Sequence, residues 1–266
     1  MKDIKLIVTD MDGTFLNSDH EVSPDFAAMY QELKKRDIMF VPASGRQMAG
    51  ITKYFGDIES EIGFIAENGG YVIYKNQEIF ADEMQKDLAV KIIKAVREIP
   101  KAKLVLSAKK RAYYETDDQE FIDFFSQYYA KNQKVNDLTE VVDDTTFKIA
   151  IYHPDGSEKY LYPALKKFEE YNLDIVVSGK HWLDVMNKDI NKGVALKKLQ
   201  KSLNILPEQT MAFGDYMNDV EMLKNSKYSY AMENAHPFVK EAASFGASSN
   251  DNFGVLQVVR NYLDNN

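Results

Sequence analysis

Two carboxylates stand two residues apart near the amino terminus, directly after a run of apolar and β-favouring residues. The run, Leu6-Ile7-Val8-Thr9, is typical of a buried parallel strand, and Asp10 and Asp12 follow it with Gly13-Thr14. In an open parallel sheet, ligands bind outside the carboxyl ends of the strands. Carboxylates so close together repel each other, which favours a divalent cation with oxygen ligands, most naturally Mg²⁺. We therefore expect a magnesium site where this strand ends.

A plain turn is the alternative interpretation of this segment, because Asp and Gly are both common in turns. The second predicted strand, Ile38–Val41, leads to a similar ending at Ser44-Gly45-Arg46, with a helix beginning near Gln47. Ser44 and the amide of Gly45 have the chemistry to bind a phosphate oxygen at a helix start. Ser44 is equally suited to cap the helix. These alternatives stay open at the level of single segments.

The elements that must position these residues alternate between strand and helix. Ser23-Pro24 begins a helix, and a third strand is predicted at Phe64–Ala66, closed by Glu67-Asn68-Gly69-Gly70. The order β-α-β-α-β indicates a right-handed parallel sheet. The pattern resumes with a helix after Lys192-Gly193 and a strand at Thr210–Phe213. That strand ends in Gly214-Asp215-Tyr216-Met217-Asn218-Asp219, so its acids reach the same edge of the sheet.

Between these halves the pattern changes, which indicates an inserted α+β module. A helix through Met84 and Ile99, an aromatic helix from about Asp118 to Tyr129, and a helix over Tyr160–Tyr171 alternate with short strands. We predict an α/β protein with a Rossmann-like parallel-sheet core and an inserted α+β cap domain. The predicted bounds are 1–81 and 188–266 for the core and 82–187 for the insert.

Composition limits the function classes that remain. The 266 residues are 45% hydrophobic and 28% charged, as in ordinary globular proteins. A net charge of −8 argues against nucleic acid or an anionic membrane as partner. The absence of cysteine excludes disulfides and thiolate metal sites. We expect no signal peptide, because the amino terminus leads directly into the first predicted strand, and no apolar run of the sequence approaches the length of a membrane span. We expect a cytoplasmic protein, either a monomer or a weak homo-oligomer.

Four stretches, in this order, resemble the motifs of the haloacid dehalogenase-like (HAD) phosphohydrolases, and the insert resembles the type-IIB cap of the Cof-type sugar phosphatases. The stretches are Asp10-x-Asp12-Gly13-Thr14, Ser44-Gly45-Arg46, Lys192-Gly193 and Gly214-Asp215-x-x-Asn218-Asp219. Supporting stretches are Glu67 to Gly70, Trp182 to Met186, Met232-Glu233-Asn234-Ala235 and Asn250 to Val255. The resemblance extends over almost the whole chain and implies a Mg²⁺-dependent phosphomonoesterase acting on sugar phosphates or similar small phosphorylated metabolites.

The resemblance also implies roles for single residues. Asp10 would be the nucleophile that forms an aspartyl-phosphate, and Asp12 the general acid and base. Mg²⁺ would be bound by the carboxylates of Asp10 and Asp215 and by the backbone carbonyl of Asp12. Lys192 would neutralise Asp10 and the transferred phosphoryl group.

Further residues have weaker assignments. Ser44, Gly45 and Asn218 would bind phosphate, and Asp219 and Arg46 would support the site; Asn218 and Asp219 are also suited to be helix caps. Asn68, Gly69, His181 and Trp182 are candidates for the substrate pocket, although packing is the simpler role for His181 and Trp182.

Two other functions remain compatible with these residues. A phosphomutase would use the same aspartyl-phosphate chemistry but needs extra basic groups in the cap. The only dense basic cluster in the insert is Lys109-Lys110-Arg111, which is simply explained as a solvated turn. A non-catalytic, Mg²⁺-dependent phosphoacceptor is the third possibility, and the presence of Asp12, Lys192 and a full cap argues against it.

Overall fold

The computed structural model describes residues 3–141 and 143–265. The strands of this described part are β1 (Leu6–Asp10), β2 (Met39–Ala43), β3 (Gly63–Ala66), β4 (Tyr71–Tyr74), β5 (Gln77–Ala81), β6 (Lys103–Ala108), β7 (Ala112–Tyr114), β8 (Asn132–Lys134), β9 (Thr146–Tyr152), β10 (Leu173–Val177), β11 (Trp182–Asn187), β12 (Thr210–Gly214), β13 (Tyr228–Met232) and β14 (Phe245–Ala247). The α-helices are α1 (Phe26–Lys35), α2 (Met48–Thr52), α3 (Lys86–Arg97), α4 (Gln119–Ser126), α5 (Ser157–Tyr160), α6 (Tyr162–Leu165), α7 (Lys192–Leu203), α8 (Val220–Lys224), α9 (Pro237–Ala242) and α10 (Gly254–Asp264).

The larger sheet has the strand order β14-β13-β12-β1-β2-β3-β4-β5. Neighbouring strands from β14 to β3 are parallel, and β4 then runs antiparallel to β3. Every residue of β1 is buried, as expected for the central strand of a sheet covered on both faces. Because β2 and β12 flank β1 on opposite sides, the strand order reverses at β1, where α/β sheets bind ligands.

Aromatic side chains pack α1 onto this sheet. Phe26, Met29, Tyr30 and Leu33 recur at helical spacing and are all buried. The Phe26 ring lies 5.0 Å from the rings of both Phe15 and Phe40, measured between centroids. These contacts fix the segment that follows β1 against the core.

The smaller sheet has the order β10-β11-β9-β6-β7-β8 and is antiparallel except for the β7–β8 pair. One core cluster beside it contains Leu88, Ile92 and Val96 of α3, and a second contains Phe121 and Phe125 of α4. This arrangement of helices and antiparallel strands is an α+β module.

The chain divides into two compact units, each built on one of these sheets. The first comprises Met1–Gly45, Ile51–Phe80 and Asn191–Asn266, and the second comprises Arg46–Gly50 and Ala81–Ile190. The predicted α/β class, a parallel-sheet core with an inserted α+β module, is confirmed. The domain bounds given above stay a prediction, as does the functional division into core and cap.

Three local features differ from the expectation. The helix predicted over Tyr160–Tyr171 is interrupted: α5 ends at Tyr160, α6 begins at Tyr162, and residues 166–171 form 3₁₀ turns. Pro163 explains the break, because it has no N–H to donate to the preceding turn. The short strands β8 and β14 were not predicted.

In the part of the chain that the structure describes, no helix is both long and apolar enough to span a membrane.

Candidate functional site

The carboxyl ends of β1 and β12 lie side by side in the larger sheet. The two strands are parallel, with Thr9 in register with Phe213. Asp10 is the last residue of β1, and Asp215 follows the last residue of β12. Two acids that are far apart in sequence are therefore adjacent at one edge of the sheet.

Lys192 is the first residue of α7, and its side chain is completely buried. Its ammonium donates to Asp10 Oδ1 and, over 2.6 Å, to Asp219 Oδ1. Asn191 caps the helix, since its Oδ1 accepts from the N–H of Val194 at 2.9 Å. A cation at a helix amino terminus opposes the helix dipole and needs anionic partners there. The position of Lys192 is thus explained by the two carboxylates, not by helix stability.

Asp219 holds the loop after β12 in shape. It is completely buried, and its Oδ2 accepts from the backbone N–H groups of Asp215 and Tyr216 at 3.0 and 3.1 Å. Gly214 permits this close approach, because a Cβ atom there would lie 2.5 Å from the Cβ of Asp219. Both oxygens of Asp219 already have protein partners, one with Lys192 and one with the loop.

Asp215 is held by the residues that follow β1. Its Oδ1 accepts from the Thr14 hydroxyl at 2.8 Å. A Cβ atom on Gly13 would lie 2.5 Å from Asp215 Oδ2, and Gly13 has a φ of +80°. Glycine is required here for both reasons, the close approach and the left-handed backbone.

The charges of this cluster are strongly coupled. Burial raises the pKa of Asp10 well above its ordinary value, and the charges of Asp219 and Asp215 raise it further, while Lys192 opposes the rise. Burial also raises the pKa of Asp215. Burial by itself lowers the pKa of Lys192, but the charges of Asp10 and Asp219 outweigh it, so the net shift is upward. Lys192 is therefore an ammonium ion at neutral pH, and three acids share this one cation.

The donor set fits a hard divalent cation. Asp10, Asp215 and Asp219 each place a carboxylate oxygen within 4.8 Å of the others. Because both oxygens of Asp219 are engaged, Asp10 and Asp215 are the side chains best placed to bind a metal. Three carboxylates with one ammonium leave an excess of negative charge, which a divalent cation would neutralise.

Asp12 differs from these acids in its surroundings. Its side chain is 40% exposed, and its Oδ1 lies 3.3 Å from Nδ1 of His20. The side chain is not one of the clustered carboxylates. The roles predicted for Asp12, a backbone ligand and a proton-transferring side chain, stay predictions.

The candidate phosphate residues lie around a strained turn after β3. Glu67 and Asn68 have φ values of 53°, and Gly69 has 106°. The Asn68 backbone N–H donates to the Ser44 carbonyl at 3.0 Å, and Asn218 Nδ2 donates to Asn68 Oδ1 at 3.0 Å. A Cβ atom on Gly45 would lie 2.9 Å from Asn68 Oδ1.

The structure thus brings Ser44, Gly45, Asn68 and Asn218 together. Gly69 belongs to the same turn, and a Cβ atom there would lie 2.4 Å from the carbonyl oxygen of Asn191, the cap of α7. Non-glycine residues with positive φ cluster at functional sites, which makes this turn a candidate part of the site.

The remaining candidates belong to the second unit. Arg46 is part of that unit and is half-buried. The Trp182 ring is stacked 6.1 Å from the ring of Phe124, and His181 Nδ1 lies 3.2 Å from the carbonyl oxygen of His153. His181 and Trp182 therefore both have packing or hydrogen-bond partners within the insert.

Two residues at the site were not given a role from the sequence. Thr14 belonged to the first motif, but its bond to Asp215 joins residues about two hundred positions apart. His20 lies in a polar loop with no periodic pattern; its φ is 59°, and its Nδ1 lies 3.3 Å from Asp12 Oδ1. No sequence signal indicated His20.

Comparison with known proteins gives a consistent result. A family model described as haloacid dehalogenase-like hydrolase matches residues 7–259. The chain is 33% identical over 264 residues to a protein of Escherichia coli (strain K12) named 5-amino-6-(5-phospho-D-ribitylamino)uracil phosphatase YbjI, across 98% of this chain and 96% of that one.

Solved structures agree along the whole length. The structure of SMU.1108c from Streptococcus mutans UA159 is similar with a TM-score of 0.86 and 34% identity, over 98% of this chain and 100% of that chain. A HAD subclass IIB sugar phosphatase, BT4131, has a TM-score of 0.78 at 18% identity, over 97% and 98% of the two chains, which shows the shared fold.

Proposed function

Because the chain belongs to the haloacid dehalogenase-like hydrolases and is a phosphatase, we propose that it hydrolyses small phosphomonoesters through a phosphorylated Asp10. The family resemblance inferred from the four motifs is confirmed. The finer statements, which are the nucleophile, the metal and the substrate class, are our proposal. They depend on the geometry at the ends of β1 and β12.

One observation carries the proposal: a completely buried lysine lies between the carboxylates of Asp10 and Asp219. A buried charge is costly unless it is paired with an opposite charge. Buried, coupled ionisable groups such as these cluster at active sites. Burial raises the pKa of Asp10, and the ammonium opposes that rise, which favours the ionised carboxylate that a nucleophile needs. It also adds positive charge beside an incoming phosphate group.

In the first step, an oxygen of Asp10 attacks phosphorus and the bond from phosphorus to the leaving oxygen breaks. Asp12 gives its proton to that oxygen, so the alcohol leaves as a neutral molecule. In the second step, the Asp12 carboxylate takes a proton from water while the water oxygen attacks phosphorus. The bond between phosphorus and Asp10 breaks, which returns the free carboxylate and releases inorganic phosphate.

The other residues bind and orient the phosphoryl group. We assign its oxygens to Ser44, the N–H of Gly45 and the side chain of Asn218, which the turn at Asn68 brings together. Lys192 stabilises charge on the transferred group. Asp219 acts indirectly, because it fixes Lys192 and the loop that bears Asp215.

Mg²⁺ would be held by Asp10, Asp215 and the backbone carbonyl of Asp12, and when bound it would neutralise the phosphoryl oxygens and orient them for attack. Thr14 positions Asp215 for this purpose by occupying its Oδ1. Gly13 leaves room for Oδ2.

We infer that the substrates are sugar or sugar-alcohol phosphates. The relative from Escherichia coli is named for a phosphoribitylaminouracil, and the structural neighbour BT4131 for sugar phosphates. The insert would then act as the cap that selects the leaving group. The substrate-pocket roles predicted for His181 and Trp182 in the insert, and for Asn68 and Gly69 in the first unit, stay predictions.

The test is phosphate release from a panel that includes 5-amino-6-(5-phospho-D-ribitylamino)uracil, hexose and pentose phosphates, nucleotides and flavin mononucleotide. Each compound is assayed with Mg²⁺ and with EDTA, using the wild type and Asp10→Asn. Asp25→Asn is the matched control, because Asp25 is exposed and makes no side-chain cap bond. We expect release that requires Mg²⁺, is lost in Asp10→Asn and is unchanged in Asp25→Asn.

Undiminished release from Asp10→Asn would show that the nucleophile is another residue. Release that persists in EDTA would refute the metal requirement. No release from any compound, together with an acyl-phosphate label on Asp10, would favour a phosphomutase or a phosphoacceptor.

A further inference from the structure

Two of the supporting sequence stretches, Met232 to Ala235 and Asn250 to Val255, have no part in the mechanism proposed above. Both lie in the first unit, and both contact the segment that follows β1. We refer to residues 12–21 of that segment as the Asp12 loop. It begins with the proposed acid and base, Asp12, and ends at Glu21, with four residues between it and α1.

Asn234 and Asn250 together bind two backbone carbonyls of the Asp12 loop. Asn234 Nδ2 donates to the carbonyl of Gly13 at 2.7 Å, and its Oδ1 accepts from the N–H of Asn250 at 3.1 Å. Asn250, which is buried, donates through Nδ2 to the carbonyl of Leu16 at 3.0 Å. Each donor faces an acceptor, so the orientation of both side-chain amides is defined by the network.

Asp251 holds the next part of the loop. Its Oδ1 accepts from the backbone N–H of Ser18 at 2.8 Å, and its Oδ2 accepts from the Ser18 hydroxyl at 3.0 Å. The loop is therefore bound at Gly13, Leu16 and Ser18 by residues that come more than two hundred positions later in the chain. Hydrogen bonds to an ionised group are stronger than neutral ones, which favours this third attachment.

The loop also has internal order. Asn17 Oδ1 accepts from the N–H groups of Asp19 and Glu21 at 3.1 and 2.7 Å. This turn gives His20 its left-handed backbone and places His20 Nδ1 3.3 Å from Asp12 Oδ1. The side chain of Asp12 thus contacts a loop whose shape depends on the attachments described above.

We propose that Asn234 and Asn250 are positioning residues that hold Asp12 at the leaving oxygen by fixing the carbonyls of Gly13 and Leu16. The proposal rests on the proposed function, because it takes Asp12 as the proton donor. The side chain of Asp12 is 40% exposed, and the backbone on either side of Asp12 sets where that side chain starts. On one side that backbone is β1, and on the other it is the carbonyl bound by Asn234. A displacement of about 1 Å in a catalytic group can reduce the rate about 100-fold.

The test compares two substrates that differ in their need for an acid. An alkyl phosphate such as ribose 5-phosphate requires protonation of its leaving oxygen, whereas the nitrophenolate of p-nitrophenyl phosphate departs without it. The variant Asn234→Asp keeps the acceptor for Asn250 but removes the donor to Gly13. Asn252→Asp is the matched control, because it makes the same chemical change in an exposed side chain whose hydrogen bond within the described residues is to the nearby Ser249.

We expect Asn234→Asp to lower kcat for the alkyl phosphate by at least about 10-fold and for p-nitrophenyl phosphate by less than about 3-fold, with similar KM values. Asn252→Asp should change neither. In an Asp12→Asn background, Asn234→Asp should cause no further loss with the alkyl phosphate, because the effect is transmitted through Asp12. Asn234→Ala, which adds no charge, should repeat the pattern and serves as the test should Asn234→Asp not fold.

Equal losses with both substrates, or a further loss in the Asp12→Asn background, would overturn the positioning role and leave the phosphatase mechanism intact. Unchanged kcat in both Asn234 variants would overturn it as well. The proposed function fails separately, if the wild type releases phosphate from neither substrate.

Discussion

The buried ion pair of Lys192 allows a stability prediction that is independent of any substrate. Lys192→Met keeps the length of the side chain but removes the ammonium that contacts Asp10 and Asp219. Lys192 and Asp219 are completely buried and Asp10 is only 7% exposed. The variant therefore leaves two carboxylates facing each other without a counter-charge, close to a third at Asp215.

Breaking a buried ion pair by removing one partner costs about 3–5 kcal/mol in the free energy of unfolding. For a domain of this size, 1 kcal/mol corresponds to about 2–4 °C in Tm, so we expect a decrease of about 6–20 °C. The charge imbalance is the cause, so Asp219→Asn should restore part of the loss when it is combined with Lys192→Met. A coupling free energy of at least about 1 kcal/mol is expected from that double-mutant cycle.

The assay is thermal and urea unfolding in EDTA, followed by circular dichroism. Lys197→Met is the matched control, since Lys197 lies on the same helix but is exposed, and its effect should stay within about 0.5 kcal/mol. Equal stability of Lys192→Met and Lys197→Met would refute the reasoning. Strict additivity in the double variant would also refute it, because it would mean that the two residues do not interact.

Three further predictions concern other parts of the molecule. Thr14→Val removes the hydroxyl that holds Asp215 Oδ1, and we expect Mg²⁺ to bind about 10-fold more weakly by calorimetry, with recovery in Thr14→Ser. Gly193→Ala places a Cβ atom 2.5 Å from the backbone of Glu221 and should lower the unfolding free energy by about 1–3 kcal/mol or more. Burial raises the pKa of Tyr113 to about 12, so the wild type should lose stability between pH 10 and 12, and Tyr113→Phe should lose less.

The sign of the pH effect follows from the two pKa values. Between pH 10 and 12 the unfolded tyrosine loses its proton while the folded one keeps it, so rising pH favours the unfolded state. Parallel stability curves for wild type and Tyr113→Phe would contradict this account. The other two predictions fail if Thr14→Val binds Mg²⁺ normally, or if Gly193→Ala unfolds at the same urea concentration as the wild type.

The fold could be predicted because its central elements have distinct patterns. The apolar and β-favouring run Leu6-Ile7-Val8-Thr9 indicates a buried strand, and the spacing of Phe26, Met29 and Leu33 indicates a helix face. The closeness of Asp10 and Asp215 was also predictable, since both follow parallel strands that end at the same edge. Alternation of strands and helices places both acids at that edge, and the strand order, in which β1 and β12 are neighbours, makes them adjacent.

Other features could not be predicted, because they depend on tertiary contacts of single polar residues. β8 and β14 have three residues each, too few for a periodic pattern. The bonds of Asn234 to Gly13 and of His20 to Asp12 involve loop residues without regular spacing. The path of the folded backbone determines which residues these side chains contact. Sequence patterns predict the regular helices and strands but not these loop contacts.

The order of strands has a consequence for how the protein is made. β1 pairs with β12, so Leu6 cannot form its contact with Thr210 until β12 has been synthesised. Most of the second unit, the stretch Ala81–Ile190, is synthesised before that point. Domains generally fold as units during translation, and pairing of distant strands is slow. We expect the inserted unit to fold on the ribosome while one edge of β1 is still open. The nascent chain would then have no phosphatase activity until its last quarter emerges from the exit tunnel.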